Sequence, residues 1–172
     1  LDHAMYGLQR LVGSENFAIW SRTHRQMLLE VMREYGRRIL QHVERAVSAG
    51  IRGVFGYVGP ELCIPPLMGV ADFEEFVTPI DAPIIDAIHE GGSHAWVHCH
   101  GRMGPVLERF SDMGVDVLNP LEPPPMGDIT LGEAFDRLDG RMGIEGNIET
   151  HDIMRMEPEN FRHRVAETVE IG

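Results

Sequence analysis

Gly91-Gly92 followed by Ala95-Trp96-Val97-His98-Cys99-His100-Gly101 is the stretch on which the fold turns. Glycines of the kind that end a helix give way to a short β-prone run that closes on two histidines. The same phrase recurs on both sides. Ala49-Gly50 precedes Ile51-Arg52-Gly53-Val54-Phe55-Gly56-Tyr57-Val58, Gly114 precedes Val115-Asp116-Val117-Leu118-Asn119, and Gly140 precedes Met142-Gly143-Ile144-Glu145-Gly146-Asn147. Each phrase predicts a strand entered from a helix.

The intervening segments read as helices. Thr23 with Gln26, Asp72 with Glu75, and Thr130 with Glu133 have the spacing of capping boxes. Pro105 and Pro158 fall where a first helical turn would begin. From Arg25 to Ala49 one stripe collects Leu28, Val31, Met32, Tyr35, Ile39, Val43 and Val47. Pro79 and Pro83 are expected to break or kink the helix that follows Asp72.

Strands alternating with helices imply a parallel sheet with crossover helices. Two closed solutions exist, an open doubly wound sheet or a (β/α)8 TIM barrel. No Gly-x-Gly-x-x-Gly follows a strand and no Walker motif occurs. The polar residues at the strand ends favour the barrel. A complete barrel takes roughly 250 residues, so residues 1–172 read as one partial barrel domain, about half of the whole.

Composition narrows the function. There are 15 basic residues against 27 acidic ones, a net charge of −12. That disfavours a nucleic-acid partner, which needs a basic face, and docking on anionic membranes. Every basic residue is an arginine, so no lysine Schiff base or P-loop lysine is available. Apolar runs fall far short of a membrane span, and no signal peptide is visible. Two cysteines make no disulfide framework, which leaves a reducing cytoplasm as the expected setting.

In parallel α/β folds chemistry gathers at the C-terminal ends of the strands. His98 and His100 end one predicted strand, and i, i+2 spacing puts both on one face, where two imidazoles can converge on a metal ion. Glu122, past the next strand, is the best-placed third ligand. Glu145 and Glu149, at the end of the fourth strand, are a candidate carboxylate pair, and Asn147 between them is a candidate orienting amide. Arg102 and Tyr57 are candidate substrate-binding residues. Two histidines satisfied at a polar rim, with no metal, is the plain alternative. Cys99 points away from the pair and reads as a buried thiol. Cys63, in the loop Pro60–Pro66, is a weak candidate for a reactive thiol. The remaining helix-borne histidines read as solvated.

Three groups of residues together resemble the uroporphyrinogen decarboxylase superfamily. They are Gly13-Ser14-Glu15-Asn16-Phe17; the run Phe73–Pro79 with Ile85–Gly92; and Val97–Gly101 with Gly114–Pro120 and Gly146–Glu149. The resemblance implies a (β/α)8 barrel with its first strands and last part outside these residues. It also implies one of two activities. One branch removes carboxylates from a porphyrinogen without metal or cofactor. The other uses zinc to move a methyl group between a corrinoid, carried by a partner protein, and a thiol. The zinc branch carries His-x-Cys-Gly where this chain has His98-Cys99-His100-Gly101, so His100 replaces its first cysteine ligand; a further cysteine ligand would lie past Gly172. The expectation is zinc held by His98, His100 and Glu122, a small-molecule or corrinoid-bound methyl substrate, and a corrinoid protein partner. A homodimer is a further possibility. Decarboxylation, with Arg102 holding substrate carboxylates, is the first rival. A metal-dependent hydrolase and a non-catalytic barrel are the others.

Overall fold

The computed structural model describes residues 1–172. Three helices come first, α1 (Ala4–Val12), α2 (Ser14–Thr23) and α3 (Arg25–Ser48). Then follow β1 (Val54–Val58), α4 (Val70–Phe76), α5 (Thr78–Glu90), β2 (His94–His98), α6 (Leu107–Asp112), β3 (Val117–Asn119), α7 (Leu131–Leu138), β4 (Gly143–Ile144), α8 (Thr150–Arg155) and α9 (Pro158–Ile171). No helix is long and apolar enough to cross a membrane. All four predicted strands form, each shorter than the β-prone run that announced it: β1 and β3 begin later than their runs, β2 stops before Cys99-His100, and β4 is trimmed at both ends, where Glu145 to Asn147 leave the sheet.

The sheet order is β1-β2-β3-β4, every pair parallel. Register aligns Val58, His98 and Asn119 in one row, and Gly56, Trp96, Val117 and Gly143 in another. The two faces differ sharply. Tyr57, Ala95, Val97 and Leu118 are buried under helices. On the other face Val54 is 69% exposed, and Gly56, His94 and Gly143 are open as well. A doubly wound sheet reverses its strand order and carries helices on both faces. Consecutive order with one covered face is the pattern of a (β/α)8 barrel cut open, here a partial one. Leu1–His3 adjoin β1 on its free side: Val58 N–H donates to the Leu1 carbonyl and His3 N–H to the Val58 carbonyl, both at 2.8 Å.

The helix signals fare unevenly. Thr130 caps α7 as a complete box: its Oγ1 accepts from Glu133 N–H while Glu133 accepts from Thr130 N–H. The Asp72 box is displaced by one turn. Gly69 occupies the cap position of α4, and Asp72, three residues on, takes its N–H at 2.9 Å. Thr23 caps nothing. It ends α2, and its hydroxyl turns back to the Ile19 carbonyl. The chain breaks at Val77 rather than at a proline, Pro79 sits in the first turn of α5, and α5 runs on through Pro83, which lies on its exposed side. Pro158 opens α9 as expected, whereas Pro105 lies in a turn before α6. On α3 the buried stripe takes in Leu29 and Gly36 and leaves Val31 exposed.

Beneath the sheet lies one continuous core, with Phe73, Phe76, Phe110, Leu107 and Leu118 fully buried. It contains one polar knot. The buried Asp81 carboxylate accepts from the Tyr57 hydroxyl at 2.7 Å and lies 3.3 Å from His3 Nε2. His3 Nδ1 in turn accepts the Met5 N–H that opens α1. This knot fastens the first residues of the chain to α5 and β1.

Candidate active site

The exposed ends of β1, β2, β3 and β4 form one rim, and the histidine pair stands at its centre. His98 is on the open face of β2, and His100 lies two residues past the strand's last paired position. Their ring centroids are 4.7 Å apart with planes at 82°. His98 also stacks on Trp96, with centroids 5.9 Å apart. The neighbouring strand fixes each ring. His98 Nδ1 lies 2.7 Å from Asn119 Oδ1, and His100 Nδ1 lies 2.9 Å from Glu122 Oε1. Both oxygens only accept, so each Nδ1 carries the proton and each Nε2 of a neutral ring keeps a free lone pair. This is the arrangement of metal-ligating histidines, whose second nitrogen is held by a carboxylate or carbonyl.

The backbone around the pair explains why it stands so. Gly101 has φ +131°, a conformation other residues rarely adopt, and a Cβ there would come within 2.8 Å of Ile64 Cδ1. That lets the loop after β1 lean on the end of β2, where Arg102 N–H donates to the Pro65 carbonyl at 3.1 Å. Gly101 N–H also donates to Glu122 Oε2 at 3.1 Å, so both oxygens of that carboxylate are engaged. Hydrogen bonds to a charged group contribute about 1.5–3 kcal/mol each.

The expected site residues separate into three groups. His98, His100 and Glu122 come together, but Glu122 meets His100 as a hydrogen-bond partner. No set of three His, Cys, Asp or Glu side chains is gathered at ligand spacing. Arg102 is exposed at the rim with its guanidinium unpaired. Glu145 accepts from Trp96 Nε1, and Asn147 is buried with φ +119° and an amide oxygen that has no partner. Tyr57 does not belong to the rim. Its alternation along β1 turns it beneath the sheet onto Asp81, and burial pushes its phenol well above the usual range. Both thiols are inert for the same reason. Burial, together with nearby carboxylates, raises Cys63 and Cys99, and Cys63 Sγ faces Met5 Sδ at 3.7 Å.

Next to the pair opens a cavity of about 810 Å3. Pro123, Pro124, Pro125 and Met126 from the loop after β3 form one wall; Glu149, Asp152 and Arg164 from the chain after β4 form another. Glu149 sits within range of Glu122, Asp152 and His100; burial first, then the first two charges, hold its carboxyl above the usual carboxylate range. Sequence reading paired Glu149 with Glu145 as candidate carboxylates but missed the orienting role of Asn119. Asn119 was within reach, since strand parity pairs it with His98. Glu145 turns to Trp96, whereas Glu149 comes within range of Glu122 and His100, which a loop without a period could not announce.

One solved structure, described as a methyltransferase from Methanosarcina mazei, matches with a TM-score of 0.68 at 19% identity, over 86% of this chain and 41% of its own. The chain therefore spans less than half the length of that neighbour, and the likeness is one of fold. No curated protein matches. Residues 8–172 match the family described as Uroporphyrinogen decarboxylase (URO-D), nearly the whole chain, and agree with the barrel topology, so the chain belongs to the uroporphyrinogen decarboxylase family.

Proposed function

We propose that this chain forms the metal-binding half of a zinc-dependent methyltransferase that moves a methyl group from a partner-borne corrinoid to a thiol. The observation that carries this reading is the histidine pair, two rings 4.7 Å apart with each Nδ1 held by an oxygen acceptor. His98 and His100 would hold the ion through Nε2. Remaining donors would come from elsewhere, since Glu122 is spent on His100 and Gly101. When bound, zinc lowers the pKa of a thiol so that it reacts as the thiolate.

The chain's own residues do the rest. Asn119 and Glu122 fix the tautomers. Trp96 covers one face of the His98 ring and, through Glu145, is tied to the end of β4. Glu122 can take up positive charge on His100 as it donates.

The test is metal analysis with activity on the full-length protein. One zinc per chain, lost in the His98→Ala, His100→Ala variant together with thiol methylation, is the expected result. Full activity in a metal-free preparation overturns the reading. A second reading, metal-free decarboxylation of a porphyrinogen, is favoured by the unpaired guanidinium of Arg102, which suits a substrate carboxylate. Coproporphyrinogen formed from uroporphyrinogen in the presence of EDTA, and lost in Arg102→Ala, would establish it instead.

A further inference from the structure

We infer that Trp96 is a positioning residue for His98, and that Glu145, two strands away, sets the plane of its indole. The three side chains form a brace, carboxylate to indole to imidazole, across the open face of the sheet. That the brace tunes a metal ligand rests on the methyl-transfer reading; that it holds the ring does not.

Strand parity supplies the first part. Trp96, His98 and His100 occupy every second position, so the His98 ring stands between the side chains before and after it. On one side the indole lies nearly parallel to it, with planes at 18° and centroids 5.9 Å apart. On the other the His100 ring meets it at 82°. Asn119 Oδ1 holds the Nδ1 edge at 2.7 Å. A single hydrogen bond still leaves an imidazole free to tilt about it, and a flat neighbour removes that freedom.

The indole needs a hold of its own, because Trp96 is half-buried on the face that helices do not cover. It lies across the strands. A Cβ on Gly56 of β1 would come within 3.8 Å of Cε3 on the six-membered ring, while Nε1 on the other ring donates to Glu145 at the end of β4. Gly143, in the same row on β4, has no side chain to stand in the way. Glu145 is itself anchored, its N–H donating to the Leu118 carbonyl at 2.9 Å. Its carboxylate is exposed and has no ion-pair partner, so the indole N–H is what engages it. A carboxylate accepting that N–H also enriches the ring in charge. An electron-rich indole face favours an imidazole made electron-poor by a bound cation.

The test uses the full-length protein and needs no turnover. Glu145 is exposed, so replacing it leaves the core intact, and far-UV CD checks this. In the metal-free protein, NMR of the His98 ring protons, identified by their loss in His98→Ala, reads the indole through its ring-current shift, with Trp96→Leu as the reference. Glu145→Leu should move these resonances toward their Trp96→Leu positions. Glu145→Gln keeps an acceptor oxygen and should leave them near wild type. Cobalt(II), titrated in place of zinc, should bind about tenfold more weakly in Glu145→Leu, as for other groups behind a metal ligand. Trp96→Phe should weaken it to a similar extent, and adding Glu145→Leu to Trp96→Phe should change nothing further, since the two act through one contact. Resonances unmoved in Glu145→Leu, or affinity losses that add in the double variant, overturn the inference. A wild-type protein that takes up no cobalt overturns the metal reading instead, and the ring-proton shifts then decide the brace alone.

Discussion

At the scale of single residues, the rim is built from borrowed hydrogen bonds. His98 owes its tautomer to Asn119, one strand away. In Asn119→Ala the ring loses that partner and can turn or shift its proton. Zinc affinity is then expected to fall about 10–100-fold, the usual cost of removing a group behind a metal ligand, with far-UV CD unchanged. Competition against a chromophoric chelator measures it, and an unchanged affinity would show that Asn119 does not orient the ring. The opposite end of the sheet holds a second carboxylate with two histidines. Asp116 accepts from Ala95 N–H at 2.7 Å, lies 2.8 Å from His89 Nε2 and is 3.2 Å from His94 Nδ1. Burial opposes its ionisation, but the Ala95 N–H and the two histidines win and hold its carboxyl below the usual range. A depressed folded value means that its contribution is complete above the unfolded carboxylate pKa of about 3.9 and fades as pH falls through the folded one. Urea midpoints of Asp116→Asn should therefore decline less steeply than wild type below about pH 4, by under about 1 kcal/mol for so accessible a group. Parallel acid limbs would remove Asp116 from the account.

Elements were legible in the sequence to the extent that a local rule governed them. The glycine-then-strand phrase located all four strands, because a helix end and a β-prone run are both local. The Thr130 box formed as written, whereas the Thr23 box did not, since Thr23 is still inside α2 and spends its hydroxyl on Ile19. Pro83 was expected to disturb its helix, yet α5 continues because packing on α3 holds it. At that seam a Cβ on Gly36 would overlap Ile80 Cγ2. Periodicity marks a stripe as apolar but not how close two helices come, so Gly36 escaped notice and Val31 was wrongly included. Gly36→Ala should cost about 1–3 kcal/mol, as overpacking does, despite the better helix propensity of alanine. Ile80→Val should recover part of the loss in the double variant, and a stabilised Gly36→Ala would mean that the helices sit further apart than described.

On the scale of the molecule, one asymmetry governs both fold and function. Helices cover one face of the sheet, and the other face carries Trp96, His98 and Asn119 in aligned rows. The sequence announced this through its parity: the polar strand residues alternate with Ala95, Val97 and Leu118. It did not announce Tyr57, whose hydroxyl suggested the polar side while the strand's period placed it beneath. Nor did it show that Glu122 would turn to His100, since a loop of consecutive prolines has no period to read. Sidedness can be tested on two adjacent residues of β3. Leu118 is fully buried beneath the sheet, and Val117 lies half-buried on the open face. Leu118→Ala should cost about 2–5 kcal/mol, the transfer term plus the cavity left behind. Val117→Ala removes less surface at a site that water or neighbouring chain can refill, so its cost should stay under about 1 kcal/mol. Urea unfolding of the two variants under one set of conditions gives the difference directly. Equal losses would mean that both faces are packed, which is the doubly wound arrangement, and the rim would then no longer be the open mouth of a barrel.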